Sequence, residues 1–133
     1  MSKWRQKAIE ILPKCKREFE HRDASIYTVF FELLPATHEA HKIKDKDSLK
    51  KYYDFAEWCF RQKEKDLRNA AGVAFYEHLG DDEITLKEFP QWVKHDIYSE
   101  VRELLEMMIS KEKLEKADLY YAARPTIKKK KTS

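Results

Sequence analysis

Two histidines in the segment HEAH are the first residues whose type and spacing could do chemistry. At i,i+3 on a helix, His38 and His41 would share a face, where they could hold a metal ion together with Glu39 or His21. This spacing is less specific than the HExxH pair of zinc metalloproteases, and histidines beside a surface loop are common. We therefore expect no metal and no cofactor, and a metal-dependent enzyme is the third of three hypotheses.

The rest of the chain lacks the patterns that usually mark an active site. A phosphate-binding loop needs several neighbouring glycines, and the two glycines of the chain, Gly72 and Gly80, stand apart. Polar loops that contain glycine, which often position catalytic groups, are also scarce. We predict that the protein is not an enzyme and has no small-molecule substrate.

Charged side chains are sorted along the chain by sign. Residues 1–52 have a net charge of +4, residues 53–123 of −6 and residues 124–133 of +5, so the total of +3 conceals an acidic segment. Charge of one sign gathered on one surface attracts partners of the opposite sign. The acidic segment therefore predicts a surface that binds a basic partner.

Within the acidic segment, two groups of carboxylates are closely spaced. One group follows an apolar helical run and consists of Glu77, Asp81, Asp82 and Glu83. The other recurs at three- and four-residue spacing, on one predicted helix face, and consists of Asp96, Glu100, Glu103 and Glu106. A solvated acidic face is the simplest interpretation, but like charges at these spacings repel, and a basic partner would relieve that repulsion.

Two aromatic residues near these carboxylates, Trp92 and Tyr98, are candidate anchors, because tryptophan and tyrosine dominate binding hot spots. Tyr98 fits the apolar stripe of a helix equally well, so a core position is the alternative for it. Trp92 follows Pro90 at a junction between a loop and a helix, which makes it the better candidate for an interface.

Helices must position all of these side chains. Hydrophobic residues make up 42% of the chain and aromatic residues 13%, which is too apolar for a disordered protein. Apolar residues recur every three or four positions, and the scarcity of glycine argues against an all-β fold. We predict an all-α domain over residues 1–123, a single compact bundle of about six to eight helices. Pro125 and four consecutive lysines predict a basic, disordered tail over residues 124–133.

Prolines and capping residues predict the first helix boundaries. The first helix either ends just before Pro13, where a second begins, or bends there. Asp23 or Ser25 is the expected N-cap of a short buried helix over residues 25–34, which Pro35 is expected to end.

The middle of the chain carries clearer boundary signals. Asp47 or Ser48 is the expected N-cap of one helix. The next helix is expected to end at Gly80, since glycine is favoured at helix C-caps. Asp81 or Asp82 would then cap the following helix.

The segment SLKKYYDFAEWCFRQKEKDLRNAAGVAFYEHL, residues 48–79, and the later EVRELLE resemble known proteins. A helix, a charged turn and a helix of small residues in this order are similar to small helical bacterial proteins of a family of unknown function, and resemble a HEAT-like helical pair. Such proteins resemble immunity proteins of contact-dependent inhibition and other polymorphic toxin systems. The resemblance implies a helical fold and a role as a toxin inhibitor, and it supplies no catalytic residue.

From the charge pattern and the resemblance we expect a cytoplasmic immunity protein that binds and occludes a cognate toxin domain, a basic nuclease, through its acidic surface. The expected contacts are Glu77, Asp81, Asp82, Glu83, Trp92, Asp96, Tyr98, Glu100 and Glu103.

Membrane association and nucleic-acid binding are the other partner classes to weigh. No apolar run reaches the ~18 residues that span a bilayer, and the N-terminus has no apolar signal segment, so no membrane partner is expected. The alternative function is a nucleic-acid-associated helical protein that uses the basic N-terminal half and the lysine tail. Acids interleaved with the N-terminal basic residues make this the second choice.

Overall fold

Eight α-helices occupy the part of the chain that the computed structural model describes, residues 2–123, and no strand occurs there. They are α1 (Lys3–Ile11), α2 (Lys16–Glu20), α3 (Ile26–Ile43), α4 (Lys46–Phe60), α5 (Lys65–Ala74), α6 (Glu83–Glu88), α7 (His95–Met108) and α8 (Lys111–Ala122). Three short 3-10 segments lie between them: Pro13–Cys15, Tyr76–Asp81 and Phe89–Gln91. The predicted all-α class is confirmed. The predicted tail, residues 124–133, lies outside the described residues.

The longest helix, α3, packs against α4, α5 and α6. Its start is fixed by Ser25, one of the two predicted caps. The Tyr27 N–H donates to the Ser25 hydroxyl at 3.2 Å, and the Ser25 N–H donates to the Thr28 hydroxyl at 3.0 Å. This reciprocal pair satisfies two backbone N–H groups that a helix start would otherwise leave without partners. Upstream, α1 ends at Ile11, before Pro13, so the first helix stops there and does not bend through the proline.

Pro35 does not end α3, which continues through it to Ile43. A proline inside a helix removes one N–H, so the Phe31 carbonyl loses its usual partner. Phe31 and Pro35 both lie on the exposed side of α3, where water can replace the missing bond. On the buried side, the Thr37 hydroxyl donates to the Leu33 carbonyl at 2.8 Å. The predicted end at Pro35 is therefore wrong, because the packed face holds the helix together across the proline.

Aspartates cap two of the later helices, α4 and α6. Asp45, and neither Asp47 nor Ser48, caps α4: its carboxylate accepts from the Ser48 N–H at 3.2 Å and from the Ser48 hydroxyl at 2.7 Å. Asp82 caps α6, as one of the two predicted alternatives, and accepts from two backbone N–H groups at 2.9 and 3.2 Å. Both helices thus begin where a short acidic side chain can reach the free N–H groups.

A continuous hydrophobic core, from Ala8 on α1 to Tyr121 on α8, connects the helices of residues 2–123. Aromatic rings fill its centre: Phe75 contacts Phe30 and Tyr53, with ring centroids 5.8 and 5.6 Å apart. Within the same range no buried side-chain nitrogen or oxygen lacks a hydrogen-bond partner. No helix of the described chain combines the length and the apolar character that crossing a membrane requires.

Gly80 is not the helix C-cap that the sequence predicts. Helix α5 ends at Ala74, and Gly80 lies in the 3-10 segment Tyr76–Asp81 without a positive φ. Its role is steric, because a Cβ at position 80 would lie 2.5 Å from Cγ2 of Ile109. Glycine at this position lets the segment pack directly against the end of α7.

Gly80→Ala is expected to lower the free energy of unfolding by about 1–3 kcal/mol, the usual cost of overpacking, because the branched Ile109 side chain cannot easily move aside. Urea denaturation measures the change. Gly72→Ala, within α5, is the matched control: its Cβ would lie 3.4 Å from Leu104, an ordinary contact. This control should leave stability unchanged or raise it by up to about 1 kcal/mol. Equal stability of the two variants would contradict the steric role of Gly80.

Candidate functional site

The first predicted group of carboxylates runs from the 3-10 segment after α5 to the first residue of α6, and we call Glu77, Asp81, Asp82 and Glu83 the acidic turn. His78 contacts two of them: its Nδ1 lies 3.0 Å from Oδ2 of Asp81, and its Nε2 lies 3.5 Å from Oε2 of Glu77. Among residues 2–123, no lysine or arginine forms an ion pair with any of the four. The acidic turn therefore keeps negative charge that the described basic side chains do not neutralise.

The two ends of the acidic turn have different surroundings. Glu83 lines a surface hollow that it shares with three lysines, Lys87, Lys113 and Lys116. Asp81 and Asp82 lie near His38 of α3, where their charges oppose the effect of burial, which lowers the pKa of that histidine. The most negative side of the acidic turn thus faces α3.

The second predicted group does not form the unpaired acidic face that its spacing predicts. Arg61 donates to both carboxylate oxygens of Asp96, at 2.9 and 3.3 Å, and Arg68 donates to Glu100. The hydrogen bonds from Arg61 hold the pKa of Asp96 below its ordinary value. Glu103 is exposed and has no ion pair within residues 2–123. Two of the expected contacts on α7 are therefore already neutralised inside the chain.

The two candidate aromatic anchors both take part in core packing. Tyr98 is 3% exposed, donates its hydroxyl to Asp118 at 2.6 Å and stacks on Tyr121. Trp92 is half-buried and stacks on Tyr53, with ring planes 10° apart. Tyr98 therefore follows the core alternative and offers no surface to a partner, whereas Trp92 keeps an exposed part.

His41 is fully buried and connects three helices. Its Nδ1 lies 2.9 Å from Oε1 of Glu88 on α6, and its Nε2 lies 2.7 Å from the hydroxyl of Tyr53 on α4. Because an ionised carboxylate only accepts, Nδ1 carries the proton and Nε2 accepts from Tyr53. Lys44 pairs with the second oxygen of Glu88 at 2.9 Å. Burial lowers the pKa of His41, against the opposing bond to Glu88, so the ring is neutral at pH 7.

These contacts leave no support for a metal site at the HEAH segment. Both ring nitrogens of His41 are occupied, and Nδ1 of His38 lies 2.7 Å from the hydroxyl of buried Thr85. Within residues 2–123, no group of three or more histidine, cysteine or acidic side chains is placed to hold a metal ion. The two histidines instead stabilise the packing of α3 against its neighbours.

An apolar groove of about 410 Å³ lies between α3 and the end of α5. Its lining includes Tyr27, Phe31, Leu34, Pro35, Val73 and His78. Phe31 is 78% exposed, and Tyr27 and Val73 are each 40% exposed. An exposed apolar groove is a candidate place for another molecule to bind. His78 belongs to the groove and also contacts the acidic turn, so the two features form one continuous surface.

None of the groove residues is among the predicted contacts, although the sequence carried a signal for them. Four residues already supply an inner face for α3: Ile26, Val29, Phe30 and Leu33. Tyr27, Phe31 and Leu34 add a second apolar stripe at i, i+4 and i+7. The sequence carries no such signal for the hydrogen bonds of His41, because its partner Glu88 is 47 residues away in the chain.

Fold and site together define a small all-helical protein with an acidic turn beside an apolar groove. Residues 5–110 match the family described as "Domain of unknown function (DUF7674)", and the chain belongs to this family. The match extends from within α1 to just beyond α7. Comparisons with curated proteins and with solved structures gave no match. Family membership assigns no activity, since the function of the family is unknown.

The free energy of unfolding is expected to fall as the pH drops below 6.5, the ordinary pKa of histidine. Burial lowers the pKa of His38 and His41, so the unfolded chain takes up protons at a pH where the folded chain does not. The charged groups around His41 are Glu88, Lys44 and Asp82. The pKa of the Glu88 carboxyl is below its ordinary value of 4.5, so this group takes up a proton only at lower pH. Urea denaturation between about pH 8 and about pH 5 measures the dependence.

His41→Leu is expected to weaken this pH dependence and to lower stability at pH 7 by about 1–3 kcal/mol, since Tyr53 and Glu88 lose their shared partner. His21→Gln is the matched control, because the His21 side chain is 64% exposed. An identical pH profile for wild type and His41→Leu would show that His41 does not carry the effect.

Proposed function

We propose that the protein is an immunity protein that binds a cognate toxin domain in the cytoplasm and occludes its basic, nucleic-acid-cutting site. The observation that carries the proposal is the grouping of four carboxylates in the acidic turn, which differ from the carboxylates that pair with a basic side chain elsewhere in the chain. Glu57, Glu88 and Asp118 each contact a lysine or an arginine. The acidic turn has no such partner within residues 2–123, so its charge is available to cations of another protein.

An inhibitor that blocks an active site in this way needs no catalytic residue of its own. Charges act over about 8–10 Å in physiological salt, so an acidic surface steers a basic cleft toward it before contact. Steering raises the association rate more than it strengthens the final complex. We assign the main direct contact to Asp81 and a weaker one to Glu83, whose charge the three lysines of the neighbouring hollow partly offset. Glu103 is an outlying charge on α7. Asp96 and Glu100 contribute less, because arginines of the same chain already hold them.

One basic residue on which the nucleic-acid alternative depends is already held within the fold. Arg5, in the basic N-terminal half, donates to the backbone carbonyls of Phe19, His21 and Ala24. Its guanidinium therefore stabilises the turn between α2 and α3 and is not free for phosphate. The lysine tail, on which the alternative also depends, lies outside the described residues.

Copurification with the product of the neighbouring gene tests the proposal directly. A stable complex in which the copurified protein loses its nuclease activity would support it. Recovery of nucleic acid in place of a protein, with binding that falls steeply as salt rises, would favour the alternative and contradict the immunity proposal.

Reversing Asp81 and Glu83 to lysine is expected to slow association with the copurified toxin about three- to tenfold at low salt, with little change in stability. Asp82 is left in place because it caps α6. Rapid-mixing kinetics at low and high salt measure the effect, which should shrink as salt rises.

The matched control reverses Glu10 and Glu18, exposed acids of the basic N-terminal half, and makes the same change in net charge. Association rates that are equal in the two double variants would remove the acidic turn from the binding surface.

A further inference from the structure

The groove between α3 and α5 holds apolar side chains that the core does not cover. Phe31 is the most exposed of them, at 78%, although an aromatic ring of this size gains most from burial. Tyr27 and Val73 flank it on the two helices, each 40% exposed. The groove is thus an apolar surface with two walls, shaped to receive side chains from outside.

The length of the groove suits a short helix. Along α3 its lining residues run from Tyr27 to Pro35, a rise of about 12 Å, or slightly more than two helical turns. A helix lying in such a groove places side chains at i, i+3 or i+4, and i+7 against it. A bound strand would need an open sheet edge, and no strand occurs within residues 2–123.

One end of the groove is negatively charged. His78 closes that end, and its ring contacts Asp81 at 3.0 Å and Glu77 at 3.5 Å. His38 lies on the next turn of α3, where the charges of Asp81 and Asp82 raise its pKa against the larger, opposite effect of burial. A segment that fills the groove would therefore gain a favourable contact if it carried a cation one turn beyond its apolar side chains.

We propose that the groove binds an amphipathic helical segment of the toxin partner. Its apolar side chains lie against Phe31 and Val73, and a lysine or arginine one turn farther along contacts Asp81. This inference rests on the proposed function, since Asp81 belongs to the acidic turn, and it adds the apolar half of the same docking surface.

A second copy of the chain fits the groove less well. In a symmetric dimer built on this surface, two concave grooves would face each other and leave a gap. The groove lining contains no lysine or arginine, so one copy could not place a cation against the acidic end of the other copy's groove. The charge and the shape of the groove both favour a convex segment with a basic end.

Two designed helical peptides of about three turns test the inference with full-length protein. Both carry leucines at i, i+3 and i+7; one ends in two lysines and the other in two glutamates. Fluorescence anisotropy with labelled peptide measures the affinity. We expect the lysine peptide to bind severalfold more tightly than the glutamate peptide, and Asp81→Lys to abolish that difference.

Phe31→Ala is expected to weaken binding of the lysine peptide about tenfold, the usual effect of removing an aromatic anchor. Met107→Ala is the matched control, because Met107 is also 78% exposed but lies on α7. Both substitutions are on the surface, so thermal unfolding should confirm that each variant is folded.

Equal affinity of the two variants, or no binding of either peptide, would overturn the inference. Self-association of the wild-type chain in sedimentation velocity that Phe31→Ala removes would also overturn it, in favour of a second copy as the occupant.

The same variants separate the inference from the proposed function. If Phe31→Ala leaves peptide affinity unchanged while reversal of Asp81 and Glu83 slows association with the copurified toxin, the acidic docking surface stands and the groove is not part of it. If Phe31→Ala weakens peptide binding but reversal of Asp81 and Glu83 leaves the rate of association with the toxin unchanged, the groove stands. The electrostatic part of the proposed function then fails.

Discussion

Helix α3 shapes both the interior and the candidate docking surface because it passes through Pro35 without ending. Its first half buries Val29, Phe30 and Leu33 among the helices behind it. Its second half, which exists only because the helix continues, carries His41 into the core and His38 to the edge of the acidic turn. Had the chain turned at the proline, the His41 contacts could not form and His38 would not lie beside Asp81 and Asp82. The packing that the continuous helix allows outweighs the cost of a proline inside it, about 3 kcal/mol.

The buried histidine explains how helices with heavily charged outer faces pack in one arrangement. Apolar side chains tolerate small rotations of one helix against another, since the contacts between them have no preferred direction. His41 does not, because its two hydrogen bonds to Tyr53 and Glu88 require α3, α4 and α6 to meet at fixed distances. A buried polar group without its partner is costly, so each competing arrangement is disfavoured. The positions of the groove and of the acidic turn depend on that fixed geometry.

Short-range features of this fold could be predicted from the sequence, and long-range ones could not. The helical class depends on residues within one or two turns of each other, and so do the cap at Ser25 and the break at Pro13, each predicted as one of two alternatives. The predicted cap of α4, Asp47 or Ser48, lies two or three residues too late, since Asp45 caps that helix. The continuation through Pro35 depends on tertiary packing that outweighs a local preference. Gly80 shows the same limit, because its reason is the side chain of Ile109 on another helix. The net charge of a segment likewise does not reveal which of its carboxylates form ion pairs. Arg61, for example, neutralises Asp96 from 35 residues away.

Electrostatic and apolar contacts would contribute to binding in different ways, and this bears on why the two features lie side by side. Unpaired carboxylates act at a distance and raise the association rate, but water and salt weaken them once contact is made. An apolar groove acts only at contact, and by excluding water it slows dissociation. The proposed inhibitor would need both properties, to bind a toxin quickly and to stay bound. His78 lies where the two features join, since it lines the groove and contacts Asp81. A partner helix seated on Phe31 would bring its basic end to that point, where reduced access of water strengthens the ionic contact.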